Sequence, residues 1–399
     1  MRIRAWIGLI LVALLLSSSS FAAPKTHVVE KGHSLWSIAR RYGVTVTALR
    51  AKNHLKKGDA LQIGQRLEIP PKDWKPDGSE SSKDDDAKDD KPSRSSKSDP
   101  DWVNAKPAPE TQTQKTAKER GVNPCNTPDP GWGTYTRWDR APSVGQMIMP
   151  ERGGVSRSGA FDVMIHFHGH EPVRKEWVKV MNGTVLVGID LGIGSGPYEA
   201  TFRSPAAFKA LLDSIEKGVA EHSGNKKAHI RKLGLSAWSA GYGAVESILR
   251  IPEYAKSVDS VVLLDGLHAA NTEPMKSKQL DPFVDFAKQA ARRRKFMFVS
   301  HSSIIPPGYA STTETMHFLV NELGGKPRKG RPRKSDPMGL DLIDRYDRGF
   351  FHERGYSGND KMDHCAHIGL YKDVLKVHIK RRWNSPRGYA AKPTRTAKK

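Results

Sequence analysis

Apolar and polar positions divide the chain into stretches of distinct pattern. Arg2 and Arg4 precede an unbroken apolar run over 5–16, and small residues then lead to Ser20, Phe21 and Ala22. A charged start, a short apolar centre and a small-residue end predict an export signal at 1–22, too short to span a bilayer. Over 26–70 the pattern changes to short periodic pieces. Val28 and Val29 close a strand, and Leu35, Ile38, Ala39 and Tyr42 fall at i, i+3, i+4 and i+7, one face of a helix. Ser34 is placed to cap that helix and Gly43 to stop it, while Thr45 can cap a second helix carrying Val46 and Leu49. Residues 63–70 return as a strand.

From 71 to 124 apolar positions nearly vanish. Residues 79–100 are mostly Ser, Asp and Lys with almost no apolar residue, and 107–119 are little richer in apolar ones. Such a segment cannot bury enough surface to offset the entropy of ordering it, which predicts a disordered tether. Beyond 125, apolar runs alternate with amphipathic ones up to about 385. Strands are expected at 161–167, 183–189, 230–235, 257–264 and 295–300, with helices between them and a final helix whose apolar face is Ile368, Tyr371, Val374, Leu375 and Ile379. Alternation of this kind implies a mostly parallel sheet covered on both faces, with chemistry at the carboxyl ends of its strands. Residues 386–399 form a basic tail.

The 26–70 module resembles a LysM domain, a small βααβ unit. The resemblance implies binding of peptidoglycan or another N-acetylglucosamine-containing glycan in a groove between two loops. Here those loops hold Gly32, His33, Ser34 and Leu35 on one side and Leu61, Gln62, Ile63 and Gly64 on the other, with His33 where the family most often has aspartate.

The segment Leu235-Ser-Ala-Trp-Ser-Ala-Gly-Tyr-Gly243 reads as a strand turning sharply into a helix, with Ser239 at the corner and Ala237, Ala240 and Gly241 around it. Small neighbours are what such a turn requires, and it lifts the serine hydroxyl clear of the sheet. This resembles the nucleophile elbow of α/β-hydrolases, with alanine at 237 in the place of the usual glycine. The expected architecture is therefore α/β: a small βααβ module, a disordered linker, and a doubly wound, mostly parallel sheet of the α/β-hydrolase type.

The resemblance implies a serine–acid–histidine order. Asp265 closes the apolar strand before Gly266 and is the expected acid, because the position after the next strand holds Ser300, His301 and Ser302. His364 is the expected base, with His367 as its alternative. The run His166-Phe-His-Gly-His170 resembles an oxyanion loop. Backbone amides at Gly169 and His170, with that of Ala240, would hold the oxyanion. A rival reading of the same run is a zinc site using His166, His168 and His170 with Asp190, Asp265 or His364. The reading adopted needs neither metal nor other cofactor.

Charge sharpens the choice of partner. Lys and Arg total 65 against 43 acidic residues, a net +22, concentrated in a loop at 326–334 and in the tail from 380 onward. In an exported protein this suits anionic envelope polymers, and no nucleic-acid module is present to suggest otherwise. Two cysteines, Cys125 and Cys365, can pair in an oxidising compartment or remain as buried thiols. These readings converge on an exported, periplasmic or extracellular, wall-associated serine hydrolase. A catalytically silent wall binder and a metal-dependent wall hydrolase or deacetylase are the alternatives.

Overall fold

The computed structural model describes residues 26–29, 38–39, 42, 44–55, 64–71, 74, 110–142, 144–306, 309–331 and 338–384. The expectations for the export signal at 1–22, for glycan-groove residues Gly32, His33, Ser34, Leu35, Leu61, Gln62 and Ile63, for most of the tether and for the tail at 386–399 lie outside them. The chain separates into two units, one ending at Arg94 and the other beginning at Ser95. Among the described residues no helix is long and apolar enough to cross a membrane.

In the first unit, β1 (Thr26–Val28) pairs antiparallel with β2 (Arg66–Glu68). Val29, Ile38, Ala39, Leu49, Leu67 and Ile69 make its core. The helix Val46–Lys52 starts as expected at Thr45, whose hydroxyl accepts the Ala48 N–H at 3.0 Å. Asn53 ends it and clamps it to β2. Its side-chain amide donates to the Leu49 and Glu68 carbonyls at 2.8 Å, and its oxygen accepts the Glu68 N–H at 2.7 Å. Gly64 turns the chain toward β2 with φ of 88°.

The second unit is built on a nine-stranded sheet. Its strands are β3 (Gln146–Ile148), β4 (Ala160–Phe167), β5 (Val185–Ile189), β6 (His229–Trp238), β7 (Val258–Leu264), β8 (Phe296–Ser302), β9 (Arg328–Lys329), β10 (Leu342–Arg348) and β11 (Phe351–Tyr356). Their spatial order is β3-β5-β4-β6-β7-β8-β11-β10-β9, and the run from β5 to β11 is parallel. Alternate residues of a strand face opposite sides, so burial of both faces requires apolar side chains at successive positions. In β4, Phe161, Val163, Ile165 and Phe167 pack with Phe208, Leu211 and Ile215 of the helix Pro205–Ser223. Met164 between them joins Trp177, Tyr371, Ile379 and Trp383 on the other face.

The chain steps from β4 outward to β5, then crosses back past β4 to β6 and continues the other way. The crevice beyond the carboxyl ends of β4 and β6 is thus the topological switch point, where sheets of this kind bind ligands.

Two features differ from expectation. The helix Gln112–Arg120 falls within the segment 71–124 assigned to the disordered linker. Its composition is polar, yet Thr111 and Gln114 form a capping box, Gly121 closes the last turn in the left-handed region, and Thr113, Thr116 and Ala117 are buried. Local capping and a narrow buried stripe outweigh the hydrophilic average. The basic loop expected at 326–334 contributes β9, which pairs antiparallel with β10 at the sheet edge. Cys125 and Cys365 are joined, with Cα atoms 4.9 Å apart.

Candidate active site

Strand β6 ends at Trp238, and Ser239 opens a single 3₁₀ turn, Ser239–Gly241, that runs into the helix Tyr242–Leu249. Ser239 has φ of 50°, left-handed backbone that non-glycine residues seldom adopt. Two glycines make room for it. A Cβ on Gly241 would lie 2.0 Å from the Phe167 carbonyl oxygen, and one on Gly266 would lie 2.3 Å from the Ser239 carbonyl oxygen. The elbow is held between the ends of β4 and β7, with Gly241 of the elbow bare against Phe167 of β4 and Gly266 after β7 bare against Ser239. Ser239 itself is half-buried.

Asp265 follows β7 and also has positive φ, 43°. Its side chain is buried, and both carboxylate oxygens are occupied. Oδ1 accepts the Ser302 N–H and the Thr312 hydroxyl, each at 2.8 Å. Oδ2 meets His364 Nδ1 at 2.7 Å. Burial opposes ionisation, but nearby His367 and the hydrogen bonds from His364 and Thr312 outweigh it and hold the carboxyl far below the usual carboxylate range. An ionised acceptor at this distance requires a proton on Nδ1, leaving Nε2 of His364 as the basic nitrogen. The imidazole is partly exposed and stacks on Trp238, ring centroids 4.8 Å apart, while the Trp238 Nε1–H donates to the His364 carbonyl at 3.2 Å. The residue before the serine therefore lies against the imidazole. Among the described residues, no hydrogen bond joins Ser239 to His364.

The alternative base, His367, is placed differently. It is buried, with Nδ1 2.8 Å from the Ser300 hydroxyl and its ring edge-on to Tyr356. Burial lowers its pKa to about 4, against the pull of Asp265.

The loop after β4 departs most from expectation. His168 and Gly169 have φ of 68° and 75°, and this left-handed pair ends the strand so that His170 opens the helix His170–Trp177. A Cβ on Gly169 would lie 2.8 Å from the Trp238 ring. The Gly169 and His170 amides, expected to face an oxyanion, instead approach the Asp190 carboxylate, at 2.7 and 3.4 Å. The same carboxylate binds His170 Nδ1. Despite burial, the hydrogen bond and charge of His170 bring Asp190 down to about 2. Of the three expected oxyanion donors, Ala240 alone lies in the first turn of the elbow helix, where an N–H has no acceptor within the helix.

The three histidines of the run do not converge as the zinc reading requires. His166 is buried between the Ser236 hydroxyl, 2.9 Å from Nδ1, and the His168 carbonyl, 2.7 Å from Nε2. His168 stacks on Trp238, centroids 5.3 Å apart, with its Nδ1 3.0 Å from the Tyr198 hydroxyl. Sequence reasoning missed Trp238 as the aromatic shared by His168 and His364, and it missed Ser302 and Thr312 as supports of Asp265. Trp238 and Ser302 were signalled only by their position at strand ends, and Thr312 only by opening a helix after the Ser311 cap. A separate cavity of about 720 Å³, lined by residues including Asp162, Arg231 and Asn384, opens near the amino ends of β4 and β6, the opposite end of the sheet from Ser239.

Comparison with known proteins identifies residues 27–70 as a LysM domain. An autolysin of Enterococcus faecalis is 38% identical over 53 residues, which is 13% of this chain and 7% of that protein. The chain thus matches only a small part of that relative's length. Among solved structures, the feruloyl esterase module of Clostridium thermocellum complexed with sinapinate aligns at a TM-score of 0.36 and 10% identity, covering 64% of this chain and 90% of that one. A cold-adapted esterase from an Arctic intertidal metagenomic library gives 0.33 and 14%, covering 58% and 86%. The siderophore hydrolase of Aspergillus nidulans gives 0.32 and 10%, covering 60% and 93%. The second unit is an α/β fold, a mostly parallel sheet with a crevice at its switch point and a strand–turn–helix elbow beside it.

Proposed function

We propose that this chain is an exported serine hydrolase held at the cell wall by its LysM domain and cleaving an ester or amide there. The observation that carries the catalytic half is the Asp265–His364 hydrogen bond of 2.7 Å beside a serine in left-handed backbone. Ser239 Oγ attacks the carbonyl carbon and its proton passes to His364 Nε2, while Asp265 steadies the imidazolium. The Ala240 N–H donates a hydrogen bond to the tetrahedral oxygen as its negative charge develops. Collapse expels the leaving group, which takes the proton from Nε2. Water, deprotonated by the same nitrogen, then attacks the acyl-serine and returns the enzyme.

The LysM domain supports binding of peptidoglycan-type glycan, the tether raises the local concentration of the catalytic unit at the wall, and the basic loop and tail add attraction for anionic envelope polymers. Exposed apolar side chains at Ile193 and Ile305, on loops after β5 and β8, favour a substrate with an apolar portion. The occupation of the Gly169 and His170 amides by Asp190 favours a second reading, a wall-binding protein whose hydrolase unit is silent.

A fluorophosphonate probe applied to the mature protein separates the two. Labelling of the wild type that is abolished in Ser239→Ala is the expected result. A folded wild type that resists the probe would overturn the enzymatic reading and leave the silent binder, and sedimentation with peptidoglycan tests the wall-binding half independently.

A further inference from the structure

A second cluster of chemically capable side chains lies outside this machinery. In β8, β11 and β10, His301, Gly355 and Asp344 stand in one row across the sheet, because Gly355 pairs with both of the others. Glu353 lies two residues before Gly355 on the same face. His301 Nε2 is 2.7 Å from Glu353 Oε1 and 3.3 Å from Asp344 Oδ1. One ligand atom from each of the three residues can be chosen so that all lie within 4.8 Å of one another.

Three observations point to a ligand here. Glu353 is completely buried, and its Oε2 has no hydrogen-bond partner, while the Asp344 carboxylate lies beside it. Leaving a buried carboxylate oxygen unpaired is costly unless a proton or a cation meets it, and two carboxylates side by side favour the cation. The orientation of His301 is fixed from behind. The Thr313 hydroxyl donates to the Ser302 carbonyl at 2.8 Å, so it accepts from His301 Nδ1–H at 2.9 Å, and Nε2 faces the carboxylates. This is the outer hydrogen bond that metal-binding histidines regularly make. Finally, the space is kept open by glycine. A Cβ on Gly355 would lie 2.0 Å from Asp344 Oδ1 and 2.7 Å from His301 Nε2.

We propose that His301, Asp344 and Glu353 form a binding site for a divalent transition-metal cation of the zinc type. His317 on the helix Thr312–Glu322 supplies a fourth ligand from the solvent side. Its Nε2 is 3.4 Å from Asp344 Oδ2, and the side chain is 44% exposed, which provides an entry path. One or two imidazoles with two carboxylates suit zinc or its first-row neighbours better than calcium or magnesium. The cation would pin the antiparallel β10–β11 edge to β8. The next residue on β8, Ser302, donates its amide to Asp265. The site is therefore structural and adjoins the support of the catalytic acid without touching the serine.

The test strips the full-length protein with a chelator, dialyses it against zinc alone, and measures bound metal and Tm. About one zinc per chain and a raised Tm are expected. Glu353→Gln should lose the metal. Because that residue is buried, His317→Ala and Asp344→Asn, at more accessible positions, serve as folded controls and should weaken binding at least about tenfold. A folded wild type that takes up no stoichiometric zinc would leave His301 as an ion-paired imidazolium and overturn the proposal. Equal uptake by all variants would also overturn it by placing the metal elsewhere. Fluorophosphonate labelling is a separate readout, so either result stands whether or not Ser239 is active.

Discussion

At the scale of single residues, the roles of two nearby histidines are separated by their hydrogen bonds. His364 meets Asp265 through Nδ1, which leaves Nε2 for the proton transfer proposed above, whereas His367 is buried against Ser300 and Tyr356. His364→Ala should lower the turnover of an activated ester by about 10³-fold or more, as removal of a triad member does. His367→Gln should keep most of that activity and lose stability instead, and kinetics beside urea denaturation check both. The reverse outcome would exchange their roles. The turn at Ser239 and the strand end at Asp265 were legible because small residues or glycine follow an apolar run there, and His364 was legible as a candidate from its place before the last apolar helical face. Asp190 was not legible as the partner of the Gly169 and His170 amides. That contact joins the end of β5 to the end of β4, and nothing in either segment alone specifies it.

At the scale of elements, the helical run over 361–384 carries the candidate base, His364, in its first turn and is anchored at its far end. Arg382 makes two hydrogen bonds to Asp259, at 2.7 and 3.0 Å, and the buried Trp383 donates its Nε1–H to the same carboxylate at 2.9 Å. Trp383 also packs among Met164, Tyr371 and Ile379. Trp383→Ala should cost about 3–5 kcal/mol, read as a lower urea midpoint, because it leaves both a cavity and a weakened anchor. The parallel strands from β4 to β8 were visible as apolar runs. The β10–β11 hairpin was not. Leu342-Ile-Asp-Arg-Tyr-Asp-Arg348 is charged at most positions and resembles a loop, because an edge strand exposes much of one face and needs few apolar residues. The helix Gln112–Arg120 was hidden for a related reason, since its hold on the domain is polar. The Thr111 hydroxyl donates to Asp363 at 2.6 Å.

Across the whole molecule, two buried histidines set a common pH response. Burial lowers His166 to about 3 and His367 to about 4. In the unfolded chain both would take up a proton below about 6.5. Between that value and about pH 4 the unfolded state therefore binds more protons than the folded one, and stability must fall as pH falls. Tm measured from pH 7 to pH 4 should decline, and His367→Gln should give a shallower decline. An identical slope in the variant would refute this assignment.

The bond between Cys125 and Cys365 has a topological consequence. It closes a covalent ring around the entire sheet, from before β3 to the residue after the candidate base. A protease that cuts this ring once does not divide the protein. The two pieces stay fastened, and strands on either side of the cut keep their neighbours. A single nick between these cysteines thus severs the chain without releasing either piece, until a reductant opens the second connection.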